Sequence, residues 1–300
     1  MSASPNGVTR TECAHAKINL LLRILAREAS GYHGIETLFQ RLALHDVVHV
    51  AINDAPRALT CDGPSMPAGG FGTPEQNLAW RAAALYCDAA QWQTGWQITI
   101  EKHIPVGGGL GGGSADAAAV LRALEALCPT PLGLARLLEL AGTLGADVPF
   151  MLLDVPLAWA WGRGDRLLPL PALPQMAVTL ITFTDGVNTG AAYGAFARAR
   201  DARGEDVRAG AYASDAFTNW TSVCALAAND FEQVVPSLHA GVAAVLPVLR
   251  NEARRKGDAG TPAIGMMSGS GATCFLLHAL GAGVEIVAPV GARLVLTVTV

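Results

Sequence analysis

Charge is scarce in this chain. Asp, Glu, Lys and Arg make up 15% of its 300 residues, with a net charge of −4 at pH 7. The Lys and Arg residues are scattered, so there is no basic stripe of the kind a nucleic-acid partner requires. Aromatic residues are also few, at 6%; with abundant Ala and Gly and a positive mean hydropathy, this describes a compact small-molecule enzyme better than a scaffold. Closely paired cysteines are missing. Cys13, Cys61, Cys87, Cys128, Cys224 and Cys274 are widely spaced, with no Cys-x-x-Cys pair. No signal peptide is recognisable, so the expectation is reduced, mostly structural thiols in a cytoplasmic protein. Two stretches, 167–184 and 260–284, lack Asp, Glu, Lys and Arg, but Pro169, Pro171 and Pro174 interrupt the first and Gly and Ser the second. Neither reads as a membrane span. At 51% hydrophobic, the chain can build one large or two ordinary cores.

What is present in excess is glycine, concentrated in Pro105-Val106-Gly107-Gly108-Gly109-Leu110-Gly111-Gly112-Gly113-Ser114-Ala115-Asp116. Six glycines in the seven positions 107–113 strip nearly every Cβ from one loop, so its backbone N–H groups can converge on a ligand. Ser114 to Arg122 then reads as a helix with a Ser cap and an acidic first turn. Orphan amides and the positive end of the helix dipole point the same way in such a junction, which makes it an anion site, with phosphate the natural anion. A flexible linker is the plain alternative, but linkers are usually padded with Ser and Gln and do not open a helix so cleanly.

Two familiar phosphate loops fail. A Walker A loop needs a Lys where Gly113 stands. A dinucleotide fingerprint can be laid on Gly107, Gly109 and Gly112, but no acid stands ~20 residues further on to hold a ribose.

Elsewhere, residues 13–25 read as a strand on which Lys17 and Asn19, two apart, share a face. From pattern alone that face is equally a solvent side or a functional one. Strands are expected at Ile35–Leu44 and Asp46–Ile52, with Leu44-His45-Asp46 as the turn of a hairpin. Asn77 is expected to cap a helix over 78–91, a strand over 95–102 enters the glycine loop, and a helix over 132–144 stops at Gly145-Ala146-Asp147-Val148-Pro149-Phe150. Gly162-Arg163-Gly164-Asp165 marks the expected domain boundary, giving domains 1–164 and 165–300. The second half is expected to hold a strand over 176–183, a helix near 191–200, a mobile loop over 200–212, helices over 229–238 and 241–255, a glycine-rich turn at Ser268-Gly269-Ser270-Gly271-Ala272 and a final strand over 293–300.

Three separated stretches resemble one family, the GHMP kinases. They are Ala16-Lys17-Ile18-Asn19-Leu20 continuing to Gly31-Tyr32-His33 and Thr37-Leu38-Phe39-Gln40; Pro105 to Ala119 with Gly145 to Phe150; and Ser268 to Ala272. The Lys-Ile-Asn-Leu stretch with Gly-Tyr-His is similar, within that superfamily, to the kinases acting on cytidine diphosphate-linked methylerythritol in the non-mevalonate isoprenoid route. Ser30 and Gly34 depart from the family's usual residues, and the segment after Phe275 lacks its charged amphipathic helix.

The resemblance implies an α+β fold with a ribosomal protein S5 domain 2-like N-terminal domain and a ferredoxin-like C-terminal domain. It implies that the triphosphate of ATP lies along Pro105, Val106, Gly107, Gly108, Gly109, Leu110, Gly111, Gly112, Gly113, Ser114 and Ala115, with Asn77 and Lys102 bordering the adenine and Ser114 touching Mg²⁺. Asp147 would be the general base and Lys17 its partner. Asn19, Tyr32, His33, Thr189 and Tyr193 would hold the acceptor. Another small-molecule kinase of the family, acting on homoserine or mevalonate, and a catalytically dead ligand sensor of the same fold are the alternatives. The implied state is a monomer or homodimer with no nucleic-acid or membrane partner.

Overall fold

The structure, a computed structural model, describes residues 8–27, 33–204 and 209–300. In chain order its strands are β1 (Val8–Arg27), β2 (His33–Asn53), β3 (Ala58–Asp62), β4 (Gly95–Glu101), β5 (Leu157–Gly162), β6 (Arg166–Leu170), β7 (Ala177–Phe183), β8 (Ala228–Asn229), β9 (Ile264–Met267), β10 (Cys274–His278) and β11 (Ala292–Val298). The α-helices are α1 (Leu78–Ala89), α2 (Gly112–Leu127), α3 (Leu134–Leu144), α4 (Val148–Leu153), α5 (Thr189–Arg203), α6 (Trp220–Leu226), α7 (Val235–Leu238) and α8 (Ala240–Asp258). No helix among the described residues is long and apolar enough to cross a membrane. The chain divides into two compact units that interleave along the sequence. The first comprises Met1–Ala16, Leu44–Val106 and Gly111–Asp154; the second, Lys17–Ala43, Gly107–Leu110 and Val155–Val300.

In the first unit the C-terminal part of β2 pairs antiparallel with β4, and β3 runs parallel to β4 on its far side. β4 shows how sequence makes a one-sided strand: Trp96, Ile98 and Ile100 are buried while Gln97, Thr99 and Glu101 are exposed. Each of those three apolar side chains contributes about 1.5–3 kcal/mol on burial. Helices α1 to α4 pack together in this unit. In α2 the run Ala117-Ala118-Ala119 is wholly buried, and side chains this small let neighbouring helices approach closely.

In the second unit β11, β7, β10 and β9 form a four-stranded antiparallel sheet, with α8 packed against β9 and β10. Its core gathers Leu22, Ile24, Ile35, Ile181, Phe196, Val242, Leu249 and Leu276. The N-terminal part of β2 pairs with β5, which pairs with β6. Gly162-Arg163-Gly164-Asp165 is the turn joining β5 to β6, with Gly162 and Gly164 at positive φ and the Asp165 carboxylate accepting from the Arg163 N–H. Pro169 is tolerated in β6 because that strand is an edge, pairing only with β5.

Several local expectations are corrected. Leu44-His45-Asp46 is not a turn; β2 runs straight through it, because Asp46 points inward and is satisfied by partners far along the chain. α2 begins at Gly112 with Gly111 as its cap at φ 75°, so no Ser side chain caps it. The helix expected over 229–238 is instead a single 3₁₀ turn, Asp230–Gln233, followed by α7, because the Asn229 amide is engaged by Met267 O and Gly269 O. α5 extends to Arg203, beyond the start expected for a loop there; residues 205–208 of that loop lie outside the described residues.

Candidate active site

In the second unit Lys17 and Asn19 are each 3% exposed, so the face they share is buried rather than solvated. The Lys17 ammonium donates to Asn19 Oδ1 at 2.8 Å and to the Gly109 carbonyl at 3.0 Å, and lies 5.5 Å from the centre of the Phe39 ring. Asn19 Nδ2 donates onward to Thr37 Oγ1 at 2.7 Å, and that hydroxyl donates to the Leu21 carbonyl at 2.6 Å. This chain of hydrogen bonds fixes the position of the Lys17 ammonium.

The glycine loop is held by its carbonyls. Gly108 O accepts from the Thr273 N–H at 3.2 Å, Gly109 O accepts from the Ser268 hydroxyl at 3.0 Å as well as from Lys17, and Leu110 O accepts from the Lys17 N–H at 2.9 Å. A trans peptide points its N–H opposite to the preceding C=O. Anchoring the Gly108 and Gly109 carbonyls to the protein therefore turns the Gly109 and Leu110 amides the other way. The glycines are required by space as well as by backbone angle. A Cβ on Gly108 would come within 2.1 Å of Thr273 Oγ1, and one on Gly109, at φ 79°, within 2.4 Å of the Ser268 carbonyl. Thr273 Oγ1 is itself buried with no hydrogen-bond partner, a polar atom beside the loop with capacity to spare. The Ser268–Ala272 turn thus buttresses the loop, and the Asn229 amide secures that turn at Met267 O and Gly269 O, both at 2.8 Å.

In the first unit, Gly112, Gly113 and Ser114 form the opening turn of α2, whose unpaired amides carry the positive end of the helix dipole. Beneath that turn lies a fully buried charge cluster. The Lys102 ammonium is hydrogen-bonded to Asp46 and, at 2.6 Å, to Asp116. Asp46 Oδ1 accepts from the His103 N–H at 2.5 Å and the Ile104 N–H at 2.7 Å. Burial pushes Asp116 up to about 7, against the pull of Lys102. Burial alone would lower Lys102, but Asp116 and Asp46 outweigh it and hold the ammonium above its usual range. Asp116 Oδ1 is buried with no partner.

The other sequence-predicted groups are placed as follows. Asn77 caps α1, accepting from the Ala79 N–H at 2.9 Å. Asp147 is half-buried at the N-cap of α4, with Pro149 in the first turn of that helix. His33 and Tyr193 stack face to face, ring centres 4.9 Å apart and 12° from parallel, and Tyr193 in turn meets the Phe231 ring edge-on. The Thr189 hydroxyl shares a hydrogen bond with Ser270 at 2.8 Å. Tyr32 lies outside the described residues. Sequence reasoning missed Asp46, Asp116 and Thr273 as supports. An acid inside an alanine run, as at Asp116, was the one available signal, since a helix face so apolar buries whatever it carries.

The family model described as "GHMP kinases N terminal domain" matches residues 77–155. The chain is 38% identical over 273 residues to a 4-diphosphocytidyl-2-C-methyl-D-erythritol kinase of Paracoccus denitrificans (strain Pd 1222), covering 91% of this chain and 88% of that protein. It is likewise 38% identical to the kinase of the same name from Deinococcus radiodurans, covering 92% of this chain and 86% of the relative. Among solved structures, a 4-(cytidine 5'-diphospho)-2C-methyl-D-erythritol kinase superposes with a TM-score of 0.65 at 31% identity, over 97% of this chain and 99% of that one. A mevalonate kinase of L. major in complex with R-mevalonate reaches a TM-score of 0.67 at 11% identity, over 99% of this chain and 98% of the other, a likeness of fold alone.

Proposed function

Because the chain belongs to the GHMP kinases and, within them, to the 4-diphosphocytidyl-2-C-methyl-D-erythritol kinase family, we propose that it transfers the γ-phosphoryl group of ATP to the 2-hydroxyl of 4-(cytidine 5'-diphospho)-2-C-methyl-D-erythritol, a step toward isoprenoid precursors. What carries this assignment is the loop whose Gly108 and Gly109 carbonyls are pinned by Thr273, Ser268 and Lys17, turning consecutive amides outward. Phosphoryl transfer through a loose transition state needs positioning and charge neutralisation more than covalent chemistry, and prearranged amides and a fixed ammonium supply both.

Asp147 takes the proton of the acceptor hydroxyl as it attacks. It stands at the N-cap of α4, with Pro149 in the first turn of that helix. Lys17 stabilises the alkoxide as it develops, its position already set by Asn19 and Gly109. The residues fit a hard divalent cation in one respect: Ser114 presents a hydroxyl in the first turn of α2. Mg²⁺ held there with the nucleotide's oxygens would neutralise charge on the phosphates. Tyr32, His33 and Tyr193 receive the cytosine, and Asn19 and Thr189 the polar part of the acceptor. All six cysteines are unpaired with one another, in keeping with a reducing, cytoplasmic setting.

Incubation of the protein with Mg-ATP and a panel of alcohols tests this directly. ADP release with the cytidine-linked erythritol and not with homoserine or mevalonate is expected; release with none would point to the sensor alternative.

A further inference from the structure

We propose that Cys13, His15 and His45, in the first unit, form a binding site for one divalent ion of zinc's borderline-soft class. The thiol sulfur and one nitrogen of each imidazole all lie within 4.8 Å of one another. The pleat explains why they meet. Cys13 and His15 are two apart on β1 and so share a face, the face opposite buried Ala14 and Ala16. His45 stands on the adjoining strand β2, its ring centre 5.1 Å from that of His15, tilted by 49° rather than stacked. Further along the same two strands the Thr11 hydroxyl meets His49 Nδ1 at 2.8 Å. Thr11 to His15 and His49 to His45 are equal steps in opposite directions, as antiparallel pairing demands, so His15 and His45 face each other across the ladder. Both strands are paired well beyond these residues, which makes the backbone a fixed frame for the three side chains.

Bonds of about 2.0–2.1 Å to nitrogen and 2.3 Å to sulfur place the ligand atoms of a tetrahedral zinc site about 3.3–3.6 Å apart. The observed cluster therefore closes on an ion by side-chain rotation of about 1 Å, with no backbone movement. The chemistry balances simply: the Cys13 thiol gives its proton to solvent, the resulting thiolate and two neutral imidazoles donate lone pairs, and water takes the fourth position. A thiolate with two imidazoles discriminates against Mg²⁺, which demands oxygen ligands in an octahedron. The ion bound here is thus chemically distinct from the one that accompanies ATP.

Titration of the nucleotide-free protein with Co²⁺, followed by visible absorption, is the test. One Co²⁺ per chain, a thiolate-to-cobalt charge-transfer band and its displacement by Zn²⁺ are expected. Cys13→Ser should abolish the band, whereas Cys61→Ser, at a half-buried thiol on β3, should leave it unchanged. His15→Ala and His45→Ala should each weaken Zn²⁺ binding at least about tenfold, since even outer-shell losses cost ~10–100-fold. The absence of a thiolate band in the wild-type protein would overturn the site without recourse to any variant, and so would a band that survives Cys13→Ser.

Discussion

Replacing Lys102 by Met removes a charge and keeps most of the volume, and its consequences follow from three side chains with relative exposures of 3% (Lys102), 0% (Asp46) and 4% (Asp116). Asp46 would keep its two backbone donors, His103 N and Ile104 N. Asp116 would lose its ammonium and already has one oxygen without a partner. Removing one member of a buried ion pair costs about 3–5 kcal/mol. Asp116 can escape part of that by taking up a proton, because burial has already pushed it up to about 7; near neutral pH the lower end, about 3 kcal/mol, applies. At about 2–4 °C per kcal/mol this lowers the melting temperature by roughly 6–12 °C. The pH dependence has a definite sign. A carboxyl whose folded pKa is raised contributes stability that is full below its unfolded value and is lost as pH rises through about 7. Without Lys102 the carboxyl rises further, so the variant should lose more against wild type at pH 8 than at pH 6. Asp116→Asn added to Lys102→Met should recover part of the loss, since no buried negative charge then remains at that position. Circular-dichroism melts at the two pH values decide the matter. A variant melting within about 2 °C of wild type at both would refute the picture of a buried cluster supporting α2.

Asp147→Asn should leave the affinity for ATP nearly intact and lower kcat by at least ~10², the contribution of a positioned proton acceptor; wild-type turnover would remove Asp147 from the mechanism. Gly111→Val forces a β-branched residue to φ 75° at the α2 cap and should abolish Mg-ATP binding in calorimetric titration while the protein stays folded. Tyr32→Ala should raise the acceptor KM roughly 5- to 150-fold, taking base stacking on an aromatic ring as about 1–3 kcal/mol. The KM of ATP should hardly move in that variant, and a parallel rise in both would make the loop structural instead.

Local rules read much of this fold correctly, and they fail where a partner lies far away in sequence. The cap at Asn77 was legible because an Asx side chain needs only an N–H two or three residues on. The pairing of Lys17 and Asn19 on one face followed from the pleat, but whether that face was buried depended on Gly109, which is 92 residues from Lys17. Asp46 was misread as a turn residue for the same reason, since its ammonium partner is 56 residues away. At the head of α2 the rules favoured a Ser side-chain cap, whereas a glycine at positive φ makes the turn with no side chain at all. The buttressing of the loop by Ser268 and Thr273 could not be read locally, because a carbonyl's acceptor role leaves no mark on its own residue.

The carbonyl of Gly109 accepts from both the Lys17 ammonium and the Ser268 hydroxyl. A carbonyl oxygen has two lone pairs, so this one has no room for a third donor. Anyone re-engineering the protein meets the result at once. Changing Lys17 to tune reactivity also frees an acceptor in the glycine loop, and loosening the Ser268 turn unseats the lysine. With Lys17 and the glycine loop in their proposed roles, turnover and nucleotide affinity would both depend on one oxygen. If the stacked rings of His33 and Tyr193 receive the acceptor as proposed, they are the better place to seek new acceptor specificity.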